Sequence, residues 1–403
     1  MTYSLRSLRI LVADDQGDVA RTLCNALKRA GAHLKYATDG RSALDQISSN
    51  VFDLVLIDMK MPPDEWGGLW LLQQLQSNGY RLPSLVLSGE GSKQQVIEAL
   101  RLGTADWIVK DQAGEELLPR CGKLLTDRLA ESLDYACGYL PTPVAYRFAR
   151  YVRMTDPEKK VIEGLHALES VLRFIAILGL STTPARPLRA ITAGRLAAPS
   201  MGTWFDMCTA LADSATETAA RYAAELLSWV APERSDRSVI QDLVTLRNSI
   251  AHGRGEPSSA QAECLDGVLR RFAHRASSLW RAELIVPTSM TYDGSSYDIN
   301  VCTLRGVGKP VPGTIKLTVP VISGNVFIVS EAFVPFSLAP WLVIDMNGLD
   351  DLRCLQFDGL QRGKAGIVSD TPFKYSDTAG GDYLSPVAHP EGRWETLAPW
   401  ANH

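Results

Sequence analysis

No stretch of this chain is apolar for anything like the ~18 consecutive residues that a membrane-spanning helix needs, so no membrane association is expected. The start, MTYSLRSLRILVADD, holds only a short apolar run before two aspartates. That is less than the apolar core of a secretory signal, and the reading is a cytoplasmic protein. There is no CxxC pair: seven cysteines stand far apart, at 24, 121, 137, 208, 264, 302 and 354. An odd, scattered set suits neither a disulfide framework nor a zinc site, so reduced, mostly packed thiols are expected. Positive charge is also in short supply. Against 41 lysines and arginines stand 45 acidic residues, for a formal net charge of −4, which argues against a generic nucleic-acid binder. What is present, 46% hydrophobic and 21% charged residues in a chain of 403, excludes wholesale disorder and suggests two or three domains.

The charge is unevenly spread. Residues 1–120 carry 13 basic and 15 acidic groups, residues 121–283 carry 20 and 18, and residues 284–403 carry 8 and 12. In the middle segment 17 of the 20 basic residues are Arg, the side chain suited to bidentate phosphate contact.

Texture changes at similar places. From residue 8 to about 112, short apolar runs (Leu8–Ala13, Val51–Met59, Pro83–Ser88, Ala105–Val109) alternate with stretches of helical spacing (Val19–Ala30, Gly40–Ile47, Leu69–Gln76, Lys93–Arg101). Such alternation implies a parallel sheet with helices on both faces and ligands at the carboxyl ends of the strands. A helical stripe through Leu118, Cys121, Leu125, Leu129 and Leu133 follows, suited to docking on its own domain or a second copy, and prolines 141 and 143 stop it. Helical spacing resumes at 156–180, 202–230, 236–252 and 258–283. From about 285, YDINVCTL, TIKLTVPV, a Ser323-Gly324-Asn325 turn and VFIVSE read as an antiparallel meander.

Asp14 and Asp15 close the first strand, Asp58 the third, Ser88 the fourth and Lys110 the fifth. By the strand-end rule these groups converge on one edge of the sheet. Three carboxylates repel and call for a cation, and hard oxygen ligands favour Mg²⁺. A lysine and a hydroxyl beside that cation cradle a phosphoryl group. The pieces LVADD, ATDGRSAL, LVLIDMKMP, LVLSG and GTADWIVK resemble a response-regulator receiver domain. The resemblance implies a flavodoxin-like five-stranded parallel sheet and Asp58 as acceptor of phosphate from a sensor histidine kinase. It implies Mg²⁺ on Asp14, Asp15, Asp58 and the backbone carbonyl of Lys60, phosphoryl contacts from Ser88 and Lys110, and Trp107 at the aromatic switch position. Asp111 stands where the family usually has Pro, and the loop MPPDEWGGL is longer than usual, a change that bears on access to Asp58.

A second constellation is LVTLRNSIAHGRG. Asn248 and His252 (i, i+4) share a helix face, whereas Arg247 and His252 (i, i+5) lie about 140° apart on an ideal helix. This set suits metal-free RNA cleavage: His exchanges a proton with the 2′-hydroxyl or the leaving oxygen, and Arg stabilises the growing charge, each contributing on the order of 10²–10⁴ in rate. Equally, His252 can cap the helix C-terminus with Gly253 beyond it. The motif, in a helical segment of about 130 residues, resembles the HEPN ribonucleases, whose signature is Arg-x4–6-His, commonly RNxxxH. PSMGTWFDMC resembles some bacterial members. The resemblance implies a central all-α helical bundle, a homodimer with the two motifs facing each other, an RNA substrate, no metal at that site, and Arg247, Asn248 and His252 as the catalytic set.

Lesser features are Glu163, His166 and Glu169 at i, i+3, i+6, read as a solvated or dimer-facing stripe rather than a metal site. Arg270, Arg271 and Arg275 read as an RNA path or a charged face, and Trp341, Trp394 and Trp400 as packing residues. The expected organisation is a receiver domain at 1–126, an extended linker helix at 127–152, a HEPN bundle at 153–284 and a β-rich domain of open role at 285–403. The expected function is phosphorylation-controlled RNA cleavage. The alternatives are a non-catalytic dimerisation adaptor and, with no helix-turn-helix in view, a transcription regulator.

Overall fold

The computed structural model describes residues 4–89, 92–215, 218–346, 352–361, 366–378, 384–385 and 390–401. By contact the chain divides into two compact units, Met1–Leu133 with Arg270–Trp280, and Asp134–Leu269 with Arg281–His403.

The first unit alternates β1 (Arg9–Ala13), α1 (Gly17–Leu23), α2 (Asn25–Arg29), β2 (His33–Ala37), α3 (Gly40–Ser49), β3 (Leu54–Ile57), α4 (Gly67–Ser77), β4 (Ser84–Ser88), α5 (Lys93–Arg101), β5 (Asp106–Val109) and the start of α6 (Ala113–Tyr139). The five strands form one parallel sheet in the order β2-β1-β3-β4-β5, the expected flavodoxin-like winding. Its core follows from period-two alternation. Ile10, Val12, Leu54, Leu56, Leu85 and Leu87 face one helical layer, and Leu11, Ala13, Val55, Ile57 and Val86 face the other. Cys121 and Leu125 of α6 are buried in the first cluster, so the early part of the α6 stripe docks on its own sheet.

The segment 270–280 is the C-terminal half of a much later helix, yet it is built into this unit. Asp53, fully buried before β3, accepts hydrogen bonds from the Arg9 backbone N–H at 2.8 Å and from Arg275 Nε and Nη2 at 2.9 and 3.0 Å. The His274 ring pairs with the Asp53 carbonyl at 3.0 Å. The reading of Arg270, Arg271 and Arg275 as an RNA path or a solvated charged face is therefore corrected at Arg275, which is 1% exposed. Its charge is spent on a buried carboxylate that would otherwise be unpaired. Arg270 donates to the Leu129 carbonyl.

The second unit holds the end of α6, then α7 (Thr142–Arg153), α8 (Pro157–Thr182), α9 (Ala193–Leu196), α10 (Met201–Ala212), α11 (Thr218–Val230), α12 (Arg234–Ala251) and the start of α13 (Ser259–Leu279). α8 is buried on nearly every face from Glu163 to Leu180, the mark of a central helix. One sheet contains β6 (Glu283–Tyr292), β7 (Tyr297–Thr303), β8 (Val311–Leu317), β9 (Phe327–Ser330) and β10 (Phe333–Ser337) in the order β10-β9-β6-β7-β8. The expected meander holds for β6 to β8. β9 then crosses back to pair with β6, Leu284 opposite Ile328, because the long connection around Ser323–Asn325 does not close a hairpin. A second sheet contains β11 (Leu342–Met346), β12 (Leu352–Leu360), β13 (Phe373–Asp377) and β14 (Leu384–Ser385) in chain order. Trp341 and Trp400 are buried, and Trp341 stacks on Phe373 at 5.2 Å, so they pack as expected. All seven cysteines are free thiols, five of them buried, and among the described residues no helix is long and apolar enough to cross a membrane.

Candidate functional site

The strand-end residues do converge. Asp14 follows β1, Asp58 follows β3, Ser88 ends β4 and Lys110 follows β5, so a parallel sheet brings all four to its carboxyl edge. Lys110 Nζ lies 2.8 Å from Asp14 Oδ2 and 3.2 Å from Asp58 Oδ2. Asp14 and Asp58 are buried and Asp15 is exposed, yet one carboxylate oxygen from each of the three lies within 4.8 Å of the others. A hard cation fits this donor set, which among the described residues is the one metal-capable group of acidic, His or Cys side chains.

Burial pushes the Asp58 carboxyl above its usual range. Lys110 opposes that rise, Asp14 adds to it, and a hydrogen bond with Ser88 lowers it again. Burial works against the charged form of Lys110, but its hydrogen bond to Asp14 and the charge of Asp58 raise its pKa overall. An ammonium is thus held between two carboxylates.

Trp107 is half-buried on β5 and packs on the same cluster as Trp66 and Trp70. Trp66 comes from the long MPPDEWGGL loop, whose return is steered by Gly67 and Gly68. A Cβ on Gly68 would stand 2.4 Å from the Asp58 carbonyl oxygen, so the helix start touches the backbone of the phosphoacceptor candidate. Lys60 is exposed at the start of that loop. The Lys110–Asp111 peptide is not among the cis bonds, which precede Pro63 and Pro340.

The RNSIAHG residues are placed differently. α12 ends in a Schellman arrangement: His252 is the C-cap residue and Gly253 has φ +64°. The Gly253 N–H donates to the Ile250 carbonyl and the Arg254 N–H to the Ser249 carbonyl. Asn248 and His252 are exposed. Arg247 is half-buried, turns towards Glu169 of α8 with Nε 3.7 Å from Oε2, and lines a polar cavity that Asn248 and His252 do not reach. Within one chain Arg247 and His252 therefore do not share a pocket. Glu163 and Glu169, expected on a solvated or dimer-facing stripe, are buried within the chain itself, Glu163 paired with Arg150 at 2.8 Å. Their carboxylates are desolvated because α8 is enclosed, and arginines of neighbouring helices compensate.

Two groupings escape a reading of the sequence, the Asp53–Arg275 pair and the cavity around Arg247, because their members lie far apart in the chain.

A parallel sheet of this order carrying an acidic triad, a hydroxyl and a lysine at its carboxyl edge is the arrangement expected of a receiver domain. The profile of the response regulator receiver domain matches residues 10–121. Response regulator MprA of Mycolicibacterium vanbaalenii is 41% identical over 118 residues, 29% of this chain and 50% of that protein. Response regulator MprA of Mycobacterium ulcerans is 34% identical over 171 residues, 40% of this chain and 73% of that protein. The structure of the Francisella response regulator 1452 receiver domain is 30% identical and covers 30% of this chain and 98% of that one, with a TM-score of 0.28. The chain spans about half the length of the first of these curated relatives. It belongs to the response regulators through its receiver domain.

Proposed function

We propose that phosphorylation of Asp58 by a sensor histidine kinase controls a HEPN-type, metal-independent endoribonuclease carried by the rest of the chain. The observation that carries the first half is the Lys110 ammonium set between Asp14 and Asp58 with Ser88 alongside. An Asp58 oxygen attacks phosphorus, the bond to the donor's imidazole nitrogen breaks, and an acyl phosphate forms. Lys110 and Ser88 take the phosphoryl oxygens as they gain charge. Mg²⁺ held by Asp14, Asp15, Asp58 and the Lys60 carbonyl would neutralise the crowded anions. Changes at Ser88 and Trp107 pass outward through α6. Residues 1–126 act as receiver together with the segment 270–280, 127–152 as linker, the rest of 153–284 as bundle and 285–403 as β-rich segment.

Exposure of Asn248 and His252 at the end of α12 supports the second half. A homodimer can bring them to a composite RNA site with Arg247 of the other copy. The adaptor reading draws on different observations, the complete Schellman cap at His252 and the Arg247–Glu169 pair, both of which give the motif a structural purpose.

Two experiments separate these. Asp58→Asn should abolish labelling by a small-molecule phosphodonor; retained labelling would mean that the pocket is misread. The phosphorylated chain should cut RNA in the presence of chelator, and His252→Ala should lose that activity. Equal cutting by His252→Ala would leave the adaptor standing.

A further inference from the structure

The cavity that Arg247 lines has a volume of about 220 Å³ and lies wholly in the second unit. Helices α7, α8 and α12 supply Arg147, Arg173 and Arg247; strands β12 and β13 supply Gln356, Asp358 and Ser376. Cavities for drug-sized ligands begin at roughly 300 Å³, so an occupant here is small.

The cavity lining holds unmet donors. Arg173 is the anchor: Nη2 lies 2.8 Å from Asp358 Oδ1 and 3.9 Å from Glu169, Nη1 donates to Ser376 Oγ at 2.7 Å, and the guanidinium stands 5.1 Å from the Trp204 ring. Its Nε is nonetheless buried without a partner. Gln356 is 3% exposed, and its Nε2 is buried with no acceptor. Arg247 has one ion pair among the described residues, at 3.7 Å, too long for a hydrogen bond, and its side chain keeps 30% exposure. Arg173 Nε and Gln356 Nε2 are thus two buried, unmet donors on the cavity lining. A buried donor left unmade costs about 1–3 kcal/mol, which folded proteins rarely accept without reason.

Donors converging on a small cavity call for an acceptor-rich anion. Arg247 offers a planar fork that matches a phosphate, with Gln356 Nε2 and Arg173 Nε behind it. Two of the three lining carboxylates, Glu169 and Asp358, are within 4 Å of Arg173. The third, Asp377, which also has a partner of its own, and the Thr378 oxygen, whose proton is donated to the Cys354 carbonyl at 3.0 Å, place further acceptor oxygens at the sheet side. Acceptors there suit hydroxyl groups. We propose that this cavity binds a small phosphate monoester of a polyol, of pentose phosphate size, its phosphoryl group on Arg247, Gln356 and Arg173 and its hydroxyls towards Asp377. The β-rich segment thereby gains a role, since it forms one wall of a ligand site whose other wall is α8 and α12. The inference shares Arg247 with the proposed RNA site but does not rest on RNA cleavage, and a chain that binds the ester without cutting RNA separates the two; neither Asn248 nor His252 lines the cavity.

Ribose 5-phosphate is the probe, titrated calorimetrically into the full chain with ribose and inorganic phosphate as separate arms. The expected result is saturable binding of ribose 5-phosphate, none of ribose, and at least tenfold weaker binding of inorganic phosphate. Arg247→Gln and Gln356→Leu should each weaken the ester by roughly tenfold or more, the loss expected for charge-assisted and buried hydrogen bonds. Arg153→Gln, which changes an exposed side chain outside the cavity lining, should not. Phosphorus NMR of the ester with the wild-type chain needs no variant and should show a shifted or broadened resonance. No binding at millimolar ester, undiminished binding by Arg247→Gln, or equal affinity for inorganic phosphate would each overturn the proposal.

Discussion

Replacing Arg275 by Met tests whether the segment 270–280 is an integral part of the receiver. In the native structure the buried Asp53 carboxylate accepts three hydrogen bonds, two of them from Arg275, and Arg275 also donates to the Ser7 carbonyl at 3.1 Å. Burial would raise the Asp53 pKa; the guanidinium charge overcomes it and holds the carboxyl below its usual range. Methionine fills similar space and removes the charge, leaving the carboxylate with the Arg9 N–H as its remaining partner among these. Breaking a buried pair in this way costs about 3–5 kcal/mol, a large part of a domain's usual margin of about 5–15 kcal/mol. Adding Asp53→Asn to Arg275→Met removes the stranded charge, so the double variant should recover much of the loss, with a coupling of more than about 1 kcal/mol. Amide exchange at Arg9, whose N–H is the third donor, reports the event locally, and urea unfolding reports its size. A loss below about 1 kcal/mol for Arg275→Met, or strict additivity in the double variant, would refute the reasoning.

Two further outcomes follow from the same unit. His274 is buried, and burial lowers its pKa despite the nearby Asp53 charge. A histidine depressed in the folded state favours folding fully above its unfolded value of 6.5 and loses that contribution as pH falls through it towards the folded value. The stability of the receiver unit should decline as pH falls below about 6.5, at up to ~1.4 kcal/mol per pH unit, and His274→Gln should flatten that slope; an unchanged profile would count against it. Gly68→Ala drives a Cβ to 2.4 Å from the Asp58 carbonyl and 2.7 Å from Met59 Cα. Since both are backbone atoms, a loss of about 1–3 kcal/mol and slower phosphorylation of Asp58 are expected, measured by thermal unfolding and phosphodonor labelling.

Local pattern carries the receiver. α5 falls at Lys93–Arg101 as its spacing predicts, and the four apolar runs correspond to β1, β3, β4 and β5. β2 is hidden from such a reading because it is an edge strand whose burial alternates around His33 and Lys35, leaving no continuous apolar run. The single helix expected over Val19–Ala30 breaks at Cys24 without Gly or Pro to announce it. The candidate strand-end set is legible because parallel winding sends every strand end to one edge, so position along each strand decides position in space. Nothing comparable ties Arg247 to Gln356 or Asp53 to Arg275. The polar spacing of Glu163, His166 and Glu169 is visible in the chain, but whether water or arginine faces it depends on helices packed from elsewhere.

The separation of Asp53 and Arg275 by 222 residues also sets an order of events during synthesis. At ~5–20 residues per second, the ribosome reaches Arg275 roughly 10–45 s after Asp53. Through that interval the nascent receiver has its sheet but not its final helix, and the Asp53 carboxylate has no guanidinium to meet it. A unit most of whose chain has emerged by residue 133 is thus completed only after residue 270, and a chain truncated before residue 270 leaves it permanently unfinished.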